Sequence, residues 1–555
     1  MTHHRSFAAA LFAAALALPC SPFASAQTVW TGTATQGLSL SKLVSAADLG
    51  PAPSDQAITV RVALKLQNQS ELVTYIQNIN NPNSALYGES LTPAQFAATY
   101  APSAAQVSAV VSYLESAGFT GVTVEPNNLL ISATGTIAQA SAAFNTPIEQ
   151  FSQFGNTVFG NTAQAQVPAS LGGVVAAVLG LNSIGQMKPT IVTRSQVSVP
   201  QYAVSYDPAQ FQTIYSATGT ATGSNATIAI MAEGDLTQVV ADLRTEEKAF
   251  GMPQVPYTIV PVGIASTDTS GEDEWDLDTQ YSTGMAQTVK MLYIYDTTSL
   301  TDSDLALEFS RWATDDKAKA GSASLGECEI FPYLDGSMLA DDEVFAEAAA
   351  QGQSFFASTG DTGSFCPAEV GENGVPAGAP MVNYPAASQY VMGVGGTTLL
   401  TNSNGSYDTE IAWYAGGGGI SQFEYSPYWQ TAAAVPSSEL GDKGIPDIAM
   451  DADPYSGANV YVDGSVEAVG GTSLSSPLAL GVWARLISAN PKLGFAPLRY
   501  YGLYDGATTP ASYPNGGFHD IIVGANGYYT ALPGWDYTTG LGTLWVSELA
   551  ADLKK

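Results

Sequence analysis

"GGTSLSSP", Gly470–Pro477, is the stretch on which the reading of this chain turns. Ser473 stands among small residues, four positions before Pro477, as a nucleophile does on a tight turn that feeds a helix. A serine hydroxyl is a weak nucleophile until a neighbouring base takes its proton. Histidine is the usual base, and the 555-residue chain holds three: His3, His4 and His519. Outward from the turn the sequence has a distinct texture. "ATIAIMAEG", "VKMLYIYD", "AGSASLGECE", "SFFASTGDTG" and "QYVMGVGGTT" are short runs rich in apolar, small and β-branched residues, punctuated by Gly, Asp or Ser. Helical stretches such as "SDLALEFSRWATDDKAKA" and "DDEVFAEAAAQ" lie between them. Buried parallel strands joined by helices read this way, and the loops at their C-terminal ends build sites. The expected fold class is α/β, with a doubly wound, mostly parallel sheet.

The N-terminus reads as a secretory leader. His3, His4 and Arg5 precede the apolar run "FAAALFAAALALP", and "ASA", Ala24–Ala26, supplies small residues at a cleavage point before Gln27. Residues 1–26 are therefore read as a signal peptide, and His3 and His4 leave with it. The run is too short to span a bilayer, and Pro19 fits poorly with a lipid anchor on Cys20. A secreted protein is expected, either extracellular or periplasmic. With 18 Lys and Arg against 50 Asp and Glu, net charge −32, nucleic acid and anionic membrane are poor partners, because phosphate binding needs clustered cations. The acidity suits a solvated secreted surface. It also suits an acid medium, since many carboxylates approach neutrality at about pH 3 to 4. Without the leader, Cys328 and Cys366 remain, a pair that an oxidising compartment favours as a disulfide.

Residues 27–195 read as one unit. "ALKLQNQSELVTYIQNIN" passes from strand to helical spacing, and "TPAQFAATYAPSAAQVSAVVSYLESAGF" gives two helices, with Thr92 and Pro93 as cap and first turn. "GVTVEPNNLLISATGTIAQASAAFNTPIEQF" gives strand, turn, strand, helix, strand. A small sandwich of strands and helices follows from this alternation. The polar linker "KPTIVTRSQVSVPQYAVSYDP" ends it, with Arg194 as a candidate processing site, and residues 196–555 form the second unit.

His519 lies in "GFHDII", so a Ser-His pair stays open on sequence alone; a carboxylate is the alternative base. In "GEDEWDLDTQ", Glu274 and Asp278 are four apart. Four helical residues turn roughly 400°, which puts both acids on one face. Glu272, Asp273 and Asp276 point elsewhere, and a solvated acidic helix start would also produce this pattern. In "FASTGDTG", Asp361 follows a buried-looking strand between glycines; such an Asp caps turns. Held protonated, it could also donate to a developing oxyanion.

These residues together resemble the sedolisins, the serine-carboxyl peptidases. The resemblance runs over nearly the whole chain after the leader. "EWDLD", "STGDTG" and "GGTSLSSP" carry it, with "NYPAAS", "VGGTT", "GGGGIS" and "PDIAMDADP". "YGESLTPAQFAATYAPS" and "NNLLISATGT" are similar to the family's activation domain. "SLGECE" with Cys366 looks most like the bacterial pepstatin-insensitive, pseudomonalisin-like members.

The resemblance implies a subtilisin-like catalytic domain at 196–555, preceded by an α+β, ferredoxin-like prodomain. It implies roles for four residues: Ser473 as nucleophile, Glu274 as general base and acid, Asp278 as its hydrogen-bonded partner, Asp361 in the oxyanion hole. Ser324, Leu325 and Gly326 would bind substrate backbone. Glu327 stands where relatives often have Trp. One structural calcium ion would be held by Asp520 and Asp536 and by carbonyls of Ile521, Leu532 and Gly534; oxygen ligands on loops suit that ion. Leu532 stands where relatives commonly have Gly, so its backbone must suit a residue with a Cβ. His519 is then a bystander. A glutamate near its reference pKa of about 4.3 stays partly ionised in acid, where a histidine near 6.5 would be protonated. The expected protein is a monomeric, secreted acid endopeptidase acting on proteins and peptides, with its own prodomain as inhibitor. The alternatives are a tripeptidyl-peptidase of the same family and a non-catalytic, calcium-stabilised binding protein.

Overall fold

The computed structural model of the chain describes residue 1 and residues 28–37, 47–153, 156–194, 203–366, 379–504 and 516–554. The expected leader beyond Met1, with its cleavage point and Cys20, lies outside the described residues, as does the unit boundary after Arg194.

The N-terminal unit is built on four antiparallel strands: β1 (Ala57–Leu64), β2 (Thr120–Val124), β3 (Leu130–Thr136) and β5 (Val175–Leu179), in the order β2-β3-β1-β5, with β4 (Ile148–Gln153) in a separate sheet. Helices α1 (Gln69–Asn80), α2 (Pro93–Thr99), α3 (Ala104–Ser116) and α4 (Ile137–Ala143) complete it. Three of these helices start by one device. Thr92, Ser103 and Thr136 each accept the N–H of a Gln three residues on, and that Gln side chain accepts the cap's own N–H. Two orphan donors are thereby satisfied at each start. The cap at Thr92 with Pro93 following is the one read from sequence. Val60, Leu114, Ile131, Phe144 and Val178 form this unit's own core. Leu72, Ile76, Phe96 and Tyr100 belong instead to the large core of the second unit. Arg61 reaches across to Asp304 at 2.6 Å.

From this unit the chain runs out as two short strands, β6 (Lys188–Pro189) and β7 (Val192–Thr193). The second unit follows: β8 (Gly223–Glu233), α5 (Thr237–Ala249), β9 (Tyr257–Pro261), α6 (Glu272–Ala286), β10 (Val289–Thr297), α7 (Asp302–Asp315), β11 (Ala320–Ala323), β12 (Leu325–Cys328), α8 (Ser337–Ala350), β13 (Ser354–Ser358), β14 (Val391–Thr401), β15 (Ile448–Asp451), β16 (Ala458–Val462), β17 (Ser465–Gly470), α9 (Thr472–Ala489), β18 (Phe518–His519) and β19 (Thr543–Leu544). The main sheet has the order β9-β10-β8-β11-β13-β14-β15-β19-β18 and is parallel from β9 to β19. Chain order runs one way from β8 to β9 and β10, and the other way from β8 to β11. Clefts form where a doubly wound sheet reverses in this manner.

Helix α9 is buried from Thr472 to Ile487; its apolar residues fill the core, and its buried Ser475, Ser476 and Arg485 hydrogen-bond within the interior. It packs against α6, and Gly481 marks the closest approach. A Cβ there would lie 2.6 Å from the Ser282 carbonyl and 2.7 Å from the Met285 Cβ. The missing side chain lets the two helices meet backbone to backbone.

Candidate active site

The turn Gly470–Ser473 joins β17 to α9. Gly471 has φ +100, the left-handed region that favours glycine, and this reversal delivers Ser473 at the N-terminus of α9. Ser473 Oγ lies 2.9 Å from Glu274 Oε2 on α6 and donates to it. One turn further along α6, Asp278 Oδ1 is 2.5 Å from Ser324 Oγ. Ser324 Oγ is also 3.2 Å from the Ser473 carbonyl oxygen. That carbonyl lacks its usual helical partner because residue 477 is Pro and has no N–H. Ser324 has one hydroxyl proton and faces two acceptors; a proton on Asp278 satisfies both contacts. Glu274, Asp278, Ser324 and Ser473 are all fully buried.

Burial pushes both acids well above the usual carboxylate range, and the charge of Asp278 adds to the rise at Glu274. Among the described residues, Glu274 Oε1 and Asp278 Oδ2 have no hydrogen-bond partner. One proton held by the pair would leave it with a single negative charge.

Asp361 lies just after β13. Its Oδ1 accepts the Thr472 N–H at 2.8 Å and the Thr472 hydroxyl at 2.9 Å. Its Oδ2 is buried without a partner among the described residues. Burial raises this carboxyl to about 7 despite the two Thr472 donors. Oδ2 and the Thr190 carbonyl oxygen crowd the same point beside Gly471: a Cβ there would lie 2.6 Å from the first and 2.2 Å from the second.

Thr190 belongs to the N-terminal unit's tail, and that tail fills the cleft. Lys188 and Pro189 pair antiparallel with Gly326 and Leu325 of β12. The Thr190 N–H donates to the Ser324 carbonyl at 3.2 Å. Val192 and Thr193 then pair with Gly470 and Val469 of β17. Thr190 Oγ1 is 2.8 Å from Ser473 Oγ and donates to Ser358 Oγ at 2.8 Å. Ser324, Leu325 and Gly326 thus present backbone to an extended chain. Beyond them, Cys328 and Cys366 are joined in a disulfide that ties β12 to the loop after Asp361. Glu327 is turned under the tail, where the Gln186 N–H donates to it.

His519 stands apart. Its ring lies against Tyr407 at 4.3 Å and Trp545 at 4.5 Å, and no hydrogen bond links it to Ser473. Near it, the C-terminal residues proposed for calcium come together. The Gly534 N–H donates to Asp520 Oδ2 and the Leu532 N–H to Asp536 Oδ2, each at 2.8 Å. The Ile521 side chain is buried, backed by Ala412 and Ala531. Burial, with the charge of Asp536 adding to it, raises Asp520 to about 6. Gly534 has φ +84, whereas Leu532 has no positive φ, so its Cβ is tolerated. The donor set is oxygen-only and fits a calcium ion.

Sequence reasoning missed Thr190, Thr472 and the side-chain role of Ser324. Thr472 was in view inside "GGTSLSSP". Nothing local marks Thr190, because its contact with Ser473 spans 283 residues.

Two family models match the chain. The pro-kumamolisin activation domain matches residues 45–184, and the subtilase family matches residues 262–503. The chain is similar to sedolisin of Pseudomonas sp. (strain 101), at 37% identity over 95% of this chain and 93% of that protein. It is similar to xanthomonalisin of Xanthomonas sp. (strain T-22), at 36% identity over 94% of this chain and 68% of that protein. The solved structure of Pseudomonas sedolisin complexed with two molecules of pseudo-iodotyrostatin superposes with a TM-score of 0.59 at 37% identity, covering 63% of this chain and 98% of that one.

Proposed function

The chain belongs to the sedolisin family, and from that premise we propose that it is a secreted, acid-active serine-carboxyl endopeptidase that cuts off its own N-terminal unit. The observation that carries this reading is the tail in the cleft. A chain running antiparallel to β12 and onward along β17, with one carbonyl beside Asp361, is how a peptide substrate would lie.

In this mechanism Ser473 Oγ attacks the carbonyl carbon of the residue in the position of Thr190. Glu274 takes the hydroxyl proton, and the proton shared with Asp278 keeps the pair from holding two charges. The tetrahedral oxyanion forms beside Asp361 Oδ2, which donates while neutral. Glu274 then protonates the departing amine, and water later releases the acyl group by the same path. Asp361 is neutral below about pH 7 and charged above it. Ionisation would turn a donor into a repelling charge, so activity belongs to the acid side.

Endopeptidase action suits the cleft better than tripeptidyl action. The tail is held beyond the third residue before the bond: the Met187 N–H donates to the Leu300 carbonyl at 3.0 Å and Gln186 bridges Thr301. A tripeptidyl site would have to close there. Calcium would be held by Asp520, Asp536 and the carbonyls of Ile521, Leu532 and Gly534, and would supply rigidity to the C-terminal loops.

The bond offered to Ser473 is Thr190–Ile191; Arg194 lies four residues further, with its N–H donating to the Ala468 carbonyl. Acidified precursor should release a fragment whose mass ends at Thr190, and Ser473→Ala should release none. Release by the Ser473→Ala chain would remove Ser473 as nucleophile. An internal cut in an N-terminally blocked protein substrate would separate endopeptidase from tripeptidyl action.

A further inference from the structure

On the far face of α6 from Glu274 and Asp278, the structure assembles a second group of acids. Asp276 lies two residues from each of them, roughly 200° around the helix axis in either direction. It meets Glu272, one turn earlier, and Asp242 of α5. One carboxylate oxygen from each of the three lies within 4.8 Å of the others. The sequence pattern allowed a solvated acidic helix start here. Asp276 and Asp242 are instead buried, Asp276 completely.

The hydrogen bonding points to a ligand. Among the described residues, both oxygens of Asp276 and Oε1 of Glu272 are buried without any partner. Among the described residues no Lys, Arg or His pairs with any of the three acids. Asp273 and Asp463 add further negative charge nearby. Asp242 is already fixed: the Gln238 amide donates to its Oδ2 at 2.9 Å and the Gly464 N–H to its Oδ1 at 2.8 Å. Another buried acid group in this chain is organised differently. Asp302 lies in direct contact with the carboxyls of Glu327 and Asp335, so a proton held between them would bridge oxygens that have no other partner among the described residues. Asp276 has no such partner. A fully buried carboxylate with both oxygens unsatisfied is costly unless a cation sits among them. Calcium takes six to eight oxygens at about 2.3–2.6 Å, which spaces its ligand atoms at about this separation.

We propose that Asp242, Glu272 and Asp276 bind a divalent, oxygen-preferring cation, calcium being the best match, at a site separate from the C-terminal loops. Glu272 is partly exposed and forms the rim through which the ion and its remaining water ligands enter. The ion joins three elements: α6, which carries Glu274; α5; and the β16–β17 turn, which reaches Asp242 through Gly464 and leads along β17 to Ser473. Its effect on the base and the nucleophile is positional.

The test is calcium binding by the full-length Ser473→Ala chain, stripped with a chelator and dialysed against calcium near neutral pH, with thermal unfolding followed in parallel. Asp276→Asn should bind one calcium fewer per chain than its parent and lose part of the calcium-dependent rise in Tm. Asp520→Asn should lose a different equivalent, and the double variant both. Calcium unchanged in Asp276→Asn and absent in Asp520→Asn would overturn the proposal and leave the trio as proton-sharing acids. If Asp276→Asn fails to fold, Glu272→Gln at the rim gives the same reading, with calcium affinity at this site expected to fall by more than about tenfold; an unchanged affinity would overturn the proposal.

Discussion

At the scale of single residues, Asp361 shows how a turn residue becomes an instrument. Oδ1 is committed to both donors of Thr472, so Oδ2 alone faces the substrate carbonyl. An asparagine would keep its carbonyl on Thr472 and turn its amide to the Oδ2 position. Asp361→Ala should lose on the order of 10²–10³ in kcat, the usual cost of one oxyanion donor. Asp361→Asn should keep more activity than Asp361→Ala and lose the alkaline fall near pH 7, since an amide does not ionise there. Activity profiles from acid to mildly alkaline pH decide this; an alkaline limb unchanged in Asp361→Asn would assign that limb to another group. The position of Asp361 was legible in "FASTGDTG", but the Thr472 clamp was not, because it joins residues 111 positions apart.

At the scale of elements, the site is the junction of two helices. α6 carries the acids and α9 the nucleophile, and their separation is set at Gly481 rather than at the reacting atoms. Gly481→Ala meets backbone on α6, with the new Cβ 2.6 Å from the Ser282 carbonyl and 2.9 Å from the Ala286 nitrogen. Alanine is intrinsically the better helix former by about 1 kcal/mol. Overpacking costs about 1–3 kcal/mol and should outweigh it. The variant should unfold at lower urea, and its kcat should fall more than its KM rises, because Ser473 and Glu274 move apart while β12 stays in place. A variant as stable as its parent would show that the helices can part without loss. The i,i+4 spacing of Glu274 and Asp278 was readable because a helix repeats locally. The same spacing said nothing of Asp276's burial, which depends on α5 and the β16–β17 turn.

For the whole molecule, acids are buried or half-buried where the N-terminal unit meets the second. Glu327 receives the Gln186 N–H, Glu343 the Leu66 N–H and the Gln69 amide, and Glu347 the Asn127 amide at 2.8 Å. Burial raises each from about 4.5 to about 8. The folded precursor therefore holds protons that the unfolded chain releases between those values. Stability is fullest below about pH 4.5 and is lost as pH rises toward about 8. The Ser473→Ala precursor should show a lower Tm at mildly alkaline pH than in mild acid, measured at fixed ionic strength. A Tm rising with pH across that window would mean the interface acids do not govern stability. If the sign holds, acid tightens the grip of the N-terminal unit on the cleft. Release in acid would then follow from cutting the tail, not from loosening the interface.

Local sequence was enough to set the alternation of apolar strands and helices, the turn that presents Ser473, the helical pairing of Glu274 and Asp278, and the availability of Cys328 and Cys366 to each other. Each of these rests on periodicity or adjacency along the chain, or on a count. Tertiary structure alone decided that Thr190 lies on Ser473, that Ser324 answers Asp278, that Glu327 is turned under the tail, and that Asp276 is sealed against Asp242. Those contacts join segments far apart in the chain. Strands only two residues long, such as Lys188–Pro189 and Val192–Thr193, carry no periodic signal, so their partners are fixed only when the folded units close on them.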